Sequence, residues 1–153
     1  METGNFIQST LELLHGQVVP ARMLVLLRRA ITDTHTGYFQ IGVMTQDLIW
    51  EQVHDPVDLK TLLEANSDKL LLEANPADKL DPPSQPKDDV LINKTGVTNG
   101  FGAYVAFVPK KKTGIVLLAN KNYPISACVT AAYAILTRLD VNRNTGLLRA
   151  PSP

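Results

Sequence analysis

The run Ile92-Asn93-Lys94-Thr95-Gly96-Val97-Thr98-Asn99-Gly100-Phe101-Gly102-Ala103-Tyr104-Val105-Ala106-Phe107-Val108-Pro109 decides the fold. Gly102 to Val108 is almost wholly apolar, as a strand buried on both faces should be. Val90 to Thr98 before it is a second strand candidate. Pro109 and Lys110-Lys111-Lys112 make a polar turn, and Ile115 to Ala119 is a third apolar strand. Links this short join antiparallel neighbours. A helix follows from Ser126 to Leu139. Its Ala127, Cys128, Ala131, Ala132, Ile135, Leu136 and Leu139 fall on one face at helical spacing. The small alanines let this helix sit close against the strands.

Upstream, Ala21 to Ile31 reads as a helix, with Met23, Leu24, Leu27, Ala30 and Ile31 on one face and Pro20 suited to a first helical position. Leu11, Leu13 and Leu14 fit no clear element. Tyr38 to Ile41 and Leu48 to Val53 read as short strands. Residues 55–89 change character, with Pro56, Pro76, Pro82, Pro83 and Pro86 among many charges. They predict a surface excursion with one short helix near Leu59 to Ala65. Within it, Leu63-Glu64-Ala65-Asn66-Ser67-Asp68-Lys69-Leu70 resembles Leu72-Glu73-Ala74-Asn75-Pro76-Ala77-Asp78-Lys79-Leu80. One pair falls short of the roughly three repeats a solenoid needs. Asp140 to Pro153 shows no pattern and is expected to be a disordered tail.

The chain has 153 residues, 44% of them apolar and 20% charged, enough to build the core of one domain or of a large piece of one. Fifteen Lys and Arg balance fifteen Asp and Glu, so nothing in the charge calls for nucleic acid or an anionic membrane. No segment reaches the roughly 20 apolar residues of a membrane span. Met1 to Asn5 lack the features of a secretory signal. The one cysteine, Cys128, reads as a small buried hydrophobe rather than a nucleophile. His15, His35 and His54 have no metal-like spacing, and no cofactor is called for.

Chemistry concentrates at Lys94-Thr95-Gly96. On an edge strand the lysine offers a compact positive charge to a carboxylate or a neighbouring base. The threonine offers a hydroxyl, and the glycine leaves room for a ligand against the backbone. The next backbone N–H, that of Val97, can donate to a developing oxyanion because edge amides are unpaired. A bare Lys-Thr-Gly carries little weight alone. Lys112-Thr113-Gly114 is a second copy, and in a turn after three lysines it makes a soluble hairpin loop. The surrounding strand therefore favours the first copy.

The run from Ile92 to Pro109 is similar to the third active-site motif of class C serine β-lactamases and the strand after it. Gly114-Ile115-Val116-Leu117-Leu118-Ala119-Asn120-Lys121-Asn122-Tyr123-Pro124 resembles the family's next strand and turn. Ala131-Ala132-Tyr133-Ala134-Ile135-Leu136 resembles its closing helix. Thr34-His35-Thr36-Gly37-Tyr38-Phe39, Met44-Thr45-Gln46 and Ala65-Asn66-Ser67 also match, so the resemblance covers about residues 30–139. It implies an α+β fold, an antiparallel sheet flanked by helices as in β-lactamases and penicillin-binding proteins, of which this chain holds only the C-terminal portion over residues 1–139.

The resemblance also implies roles. Lys94 would organise the hydrogen bonds around the catalytic base, Thr95 would touch the substrate carboxylate, and Gly96 would give space. The Val97 N–H would be half of the oxyanion hole, and Asn122 would lie at the rim. Residues 63–86 would border the leaving-group side of the pocket. Full-length relatives work in the periplasm, although this chain shows no export signal.

Family catalysis also needs a Ser-x-x-Lys nucleophile motif and a Tyr-x-Asn base motif. Only Ser84-Gln85-Pro86-Lys87 has the first spacing, and Pro86 opposes the helix that would align it. None of Tyr38, Tyr104, Tyr123 or Tyr133 is followed by Asn at the required spacing. Nucleophile and base act as a unit, so the chain alone is expected to be inactive on β-lactams.

Other positions depart from the family pattern. Val97 stands where Ser or Ala is usual. Ile125 and Cys128 replace an Asn and an Arg that aid carboxylate recognition, and Asp47-Leu48-Ile49-Trp50 replaces Gly-Leu-Gly-Trp. The expectation is thus the C-terminal part of a β-lactamase, binding β-lactam only when completed. The alternatives are a decayed non-catalytic module, or a relative acting as an esterase or D-Ala-D-Ala peptidase. Without its missing partners the chain should self-associate through an exposed strand edge.

Overall fold

The computed structural model describes residues 21–145. Pro20, the leucines of residues 11–14 and residues 146–153 lie outside that range. Helix α1 spans Ala21–Asp33, as expected, and none of its residues is buried. It ends where Thr34, His35 and Thr36 turn their N–H groups back onto the carbonyls of Ile31, Thr32 and Asp33.

Seven strands then form one antiparallel sheet. They are β1 (Gly37–Ile41), β2 (Met44–Gln46), β3 (Glu51–His54), β4 (Asp78–Ser84), β5 (Val90–Val97), β6 (Gly102–Val108) and β7 (Thr113–Ala119), with α2 (Leu59–Ala65) and α3 (Asp68–Leu72) between β3 and β4. The spatial order is β4-β1-β2-β3-β5-β6-β7. Helix α4 (Ile125–Asn144) closes the described chain.

Four details differ from expectation. First, Leu48 and Ile49 are not in a strand. Asp47 N–H donates to Trp50 O at 2.9 Å, so the two aliphatic residues form the exposed tip of the β2–β3 link. Second, the Pro-rich excursion contains β4 and a second helix, α3, where one short helix was expected. Proline is tolerated on an edge strand or at a bulge. Between the pairs Gly37↔Ser84 and Phe39↔Lys79 the register shifts, and Pro82 and Pro83 fall inside that irregularity.

Third, β6 is fully buried on one side only. Gly102, Tyr104, Ala106 and Val108 are buried, whereas Ala103, Val105 and Phe107 are half-buried. Fourth, α4 runs to Asn144, beyond the expected end at Leu139, and its buried face is rotated. Val129, Ala132 and Leu136 are buried, while Ala127, Ala131 and Ile135 face out. The spacing predicted a helix, but alanines and isoleucine occur all round it, so periodicity alone could not orient it. The extra turns are anchored by Lys111, whose ammonium meets Asp140 and Asp55 at 2.8 Å each.

The near-repeat within the excursion does not repeat in structure. Its first copy spans the junction of α2 and α3, where Ser67 Oγ accepts from Leu70 N and caps α3. In the second copy Pro76 stands in place of Ser67, and the chain runs extended into β4. There Asn75 Nδ2 caps the end of α3, donating to Leu70 O at 3.0 Å and Glu73 O at 2.8 Å.

The core lies between the sheet and α2 and α4. Met44, Val53, Leu91, Tyr104, Ala106 and Val108 meet Leu62, Ala65, Val129, Ala132 and Leu136 there. The opposite face of β7 is open, with Val116 60% and Leu118 80% exposed.

Candidate active-site wall

Strand β5 is paired on both sides only over its first half. Its pairing with β3 ends at Glu51↔Asn93, while its pairing with β6 continues to Val97↔Gly102. Among the described residues, Lys94, Thr95, Gly96 and Val97 therefore lie on one open backbone edge. The direction of their amides follows from antiparallel alternation. Thr98 N–H donates to Phe101 O at 2.9 Å, toward the β6 side. The next amide back along the strand, that of Val97, points the other way, out from the open edge.

The side chains of the motif differ in setting. Thr95 is half-buried, and Gly96 and Val97 are exposed. A Cβ added to Gly96 would meet only the Ala103 Cβ, at 3.8 Å, so packing among the described residues does not demand the glycine. Lys94 Nζ reaches the carboxylate of Glu51, on the neighbouring strand β3. Glu51 is itself buried, and Asn93 Nδ2 donates to its backbone oxygen at 2.9 Å.

The β7–α4 link comes to the same end of the sheet. A Cβ at Gly102 would lie 3.6 Å from Lys121 O and 4.0 Å from Tyr123 N, and Gly102 is the register partner of Val97. Asn122, between those two residues, is exposed beside this end. Lys121 Nζ lies 5.8 Å from the centre of the Tyr123 ring, within cation–π range. The expected site residues Lys94, Thr95, Gly96, Val97 and Asn122 are thus grouped at one end of β5 and β6.

The second Lys-Thr-Gly lies at the other end of the β6–β7 hairpin. Lys112 has φ of 48°, and Thr113 Oγ1 donates to Lys111 O and accepts from Arg143 Nη1. A Cβ at Gly114 would come within 2.9 Å of Phe107 Cβ and 3.2 Å of Ala106 O. Close packing and the hairpin explain that copy.

Ser84 ends strand β4 opposite Gly37. The chain around it is extended, so Ser84 and Lys87 do not share the face of a helix. Tyr104 is fully buried, and its hydroxyl has no hydrogen-bond partner among the described residues. Burial, and then the negative charge of Glu51, push its pKa well above the usual phenol range. Tyr104 therefore stays protonated and is unsuited to act as a base. Cys128 is half-buried against the core. His35 packs among Trp50 and Phe107 with ring centroids 6.4 and 5.5 Å away, and burial lowers its pKa. No three His, Cys, Asp or Glu side chains gather as a metal site among the described residues.

Sequence reasoning missed Glu51, Asn93 and Tyr104. The available signal was a charged residue inside the strand Glu51-Gln52-Val53-His54, at a position that alternation turns to the same face as the core residue Val53.

An antiparallel sheet with a helix packed on one face and Lys-Thr-Gly on an open strand end defines the β-lactamase and penicillin-binding-protein type of fold. A family model described as Beta-lactamase matches residues 16–139, and the chain belongs to that family. It is 47% identical over 135 residues to a β-lactamase of Pseudomonas fluorescens, covering 86% of this chain and 38% of that protein. A β-lactamase of Escherichia coli strain K12 is 42% identical over 113 residues, covering 74% of this chain and 30% of the relative.

Among solved structures, the D-alanine carboxypeptidase AmpC from Burkholderia cenocepacia superposes with a TM-score of 0.73 at 54% identity, covering 80% of this chain and 35% of that one. A class C β-lactamase in complex with cefoxitin gives 0.71 at 53%, covering 75% and 32%. The likeness is therefore to class C enzymes. The chain spans less than two fifths of the length of each of these relatives.

Proposed function

We propose that this chain is the C-terminal portion of a class C serine β-lactamase and supplies one wall of its active site. The observation that carries the proposal is the open end of β5, where the Val97 N–H points away from β6 beside Lys94 and Thr95. In acyl transfer a serine attacks the lactam carbonyl, and negative charge gathers on its oxygen. A fixed backbone donor aimed at that oxygen stabilises the transition state more than the ground state. Val97 provides such a donor, whatever its side chain. Thr95 offers its hydroxyl to the substrate carboxylate, Lys94 offers positive charge, and Asn122 stands at the rim.

The nucleophile and base come from elsewhere, because neither Ser-x-x-Lys in a usable setting nor Tyr-x-Asn occurs in the chain. Alone it does not turn over β-lactams. Completed, it acts in the periplasm with the full-length relatives. The test is to mix the chain with the N-terminal portion of the Pseudomonas fluorescens enzyme and follow nitrocefin. Hydrolysis that appears only on mixing, and is lost in a Val97→Pro variant lacking the donor, supports the proposal. Continued silence favours a decayed module instead. Hydrolysis by the chain alone, abolished by Ser84→Ala, overturns the claim of inactivity.

A second reading, hydrolysis of D-Ala-D-Ala peptides, is favoured by two similar structures, one described as a D-alanine carboxypeptidase AmpC from Burkholderia cenocepacia and one as a β-lactamase/D-alanine carboxypeptidase from Pseudomonas syringae. Release of D-alanine by the mixed complex is its readout.

A further inference from the structure

Among the described residues, Lys94 alone answers the energetic problem that Glu51 presents. Its side chain is 4% exposed, and burying an unpaired carboxylate costs several kcal/mol. Lys94 Nζ is the partner of Oε1, while Oε2 is buried with no partner among the described residues. The nearby Tyr104 hydroxyl and Asn93 Oδ1 are likewise buried and unpaired.

The two partners differ in setting. Glu51 sits in β3 opposite Asn93, whose amide donates to the Glu51 carbonyl. Lys94 lies past the last β3 pair, and 45% of its side chain is exposed. A lysine at an open edge is flexible by its four-carbon stem and carries three donors. A fixed carboxylate can restrain the ammonium through one donor and leave the rest accessible.

We infer that Glu51 is the positioning residue for Lys94. Its carboxylate, held in β3, fixes the Lys94 ammonium beside the open end of β5, with donors free for an anionic ligand. Glu51 acts through Lys94 and touches no substrate. Its use in β-lactam turnover rests on the function proposed above, but the pairing itself does not.

The test is NMR of lysine ammonium groups in the full 153-residue chain labelled with nitrogen-15 and carbon-13. Ion-paired ammonium groups exchange with water slowly enough to be seen. Lys111, clamped between Asp55 and Asp140, provides an internal reference for the fold. The expected spectrum has protected signals from Lys94 and Lys111, the former assigned by its loss in Lys94→Arg. It also has a through-hydrogen-bond correlation from the Lys94 ammonium to the Glu51 carboxyl carbon. Glu51→Gln should abolish the Lys94 signal and leave that of Lys111.

A Lys94 signal that survives Glu51→Gln overturns the inference. So does absence of the correlation in the unsubstituted chain, a measurement that needs no variant to fold. In a mixed complex that hydrolyses nitrocefin, Glu51→Gln should lower kcat several-fold with little change in KM. A silent complex would count against the β-lactamase proposal, while the NMR result would still decide the pairing.

Discussion

Gln52 Nε2 donates to Asp47 Oδ1 at 2.6 Å, tying the buried carboxyl at one end of the β2–β3 link to the strand that leaves it. Burial raises the Asp47 pKa from 3.8 to about 7, with a further push from the charge of Glu51 and an opposing pull from Gln52. The folded state therefore holds a proton that the unfolded chain releases between those values. Stability should fall as pH rises through that window, with a slope of at most about 1.4 kcal/mol per pH unit. Asp47→Asn keeps the acceptor for Gln52 and removes the ionisation. Urea unfolding followed by Trp50 fluorescence should show the variant more stable than the parent at pH 8, with the advantage gone near pH 4. Equal stabilities at pH 8 would contradict this.

The Tyr104 hydroxyl is buried without a hydrogen-bond partner among the described residues. Removing a buried polar atom that has no bond should be neutral or stabilising. Tyr104→Phe is expected to leave the urea midpoint unchanged or raise it. Tyr104→Ala should cost about 3–5 kcal/mol through loss of the core ring. A large loss in the Phe variant would reveal a bond to the hydroxyl.

Helix α4 gives a test of its orientation. Leu136 is 7% exposed and Ile135 is 44% exposed. Leu136→Ala should cost about 2–5 kcal/mol, and Ile135→Ala under half of that. Equal costs in paired denaturation curves would show that the helix buries a different face.

Lys111, in the β6–β7 hairpin, meets Asp55 just past the end of β3 and Asp140 in α4. Burial pulls its pKa down, but the hydrogen bonds and charges of the two aspartates outweigh this, and the net shift is upward. Lys111→Met would leave two carboxylates facing each other without their cation. A loss of about 2 kcal/mol or more at pH 7 is expected in urea unfolding, and an unchanged midpoint would contradict it.

The edge and face of β7, which no described residue covers, should drive self-association. The strand Thr113–Ala119 carries no charge or proline, and Leu118 is 80% exposed. Such an edge can pair with another strand. Analytical ultracentrifugation should find oligomers of the chain, reduced by Leu118→Lys. A monodisperse monomer without the substitution would refute this.

Much of the local structure was legible in residue order. Alternation, apolar runs and short links revealed β5, β6 and β7, and the shift to helical spacing revealed α4. Beta strand β4 was not legible, because prolines argue against a strand unless an edge and an irregular register excuse them. Leu48 and Ile49 misled because an apolar pair looks the same at a link tip as in a strand. The Lys-Thr-Gly copies could be ranked by context, but the close approach of Phe107 to Gly114 emerged only from the packed hairpin.

The sequence by itself determined the family resemblance and the motif Lys94-Thr95-Gly96, because these depend on residue identity and spacing. Only the tertiary structure decided which backbone edge is open, which way the Val97 amide points, and that Lys94 meets Glu51, 43 residues away in the chain. Strand register and the end of the β3–β5 pairing place those groups together, and both arise from contacts between distant segments that no local pattern records.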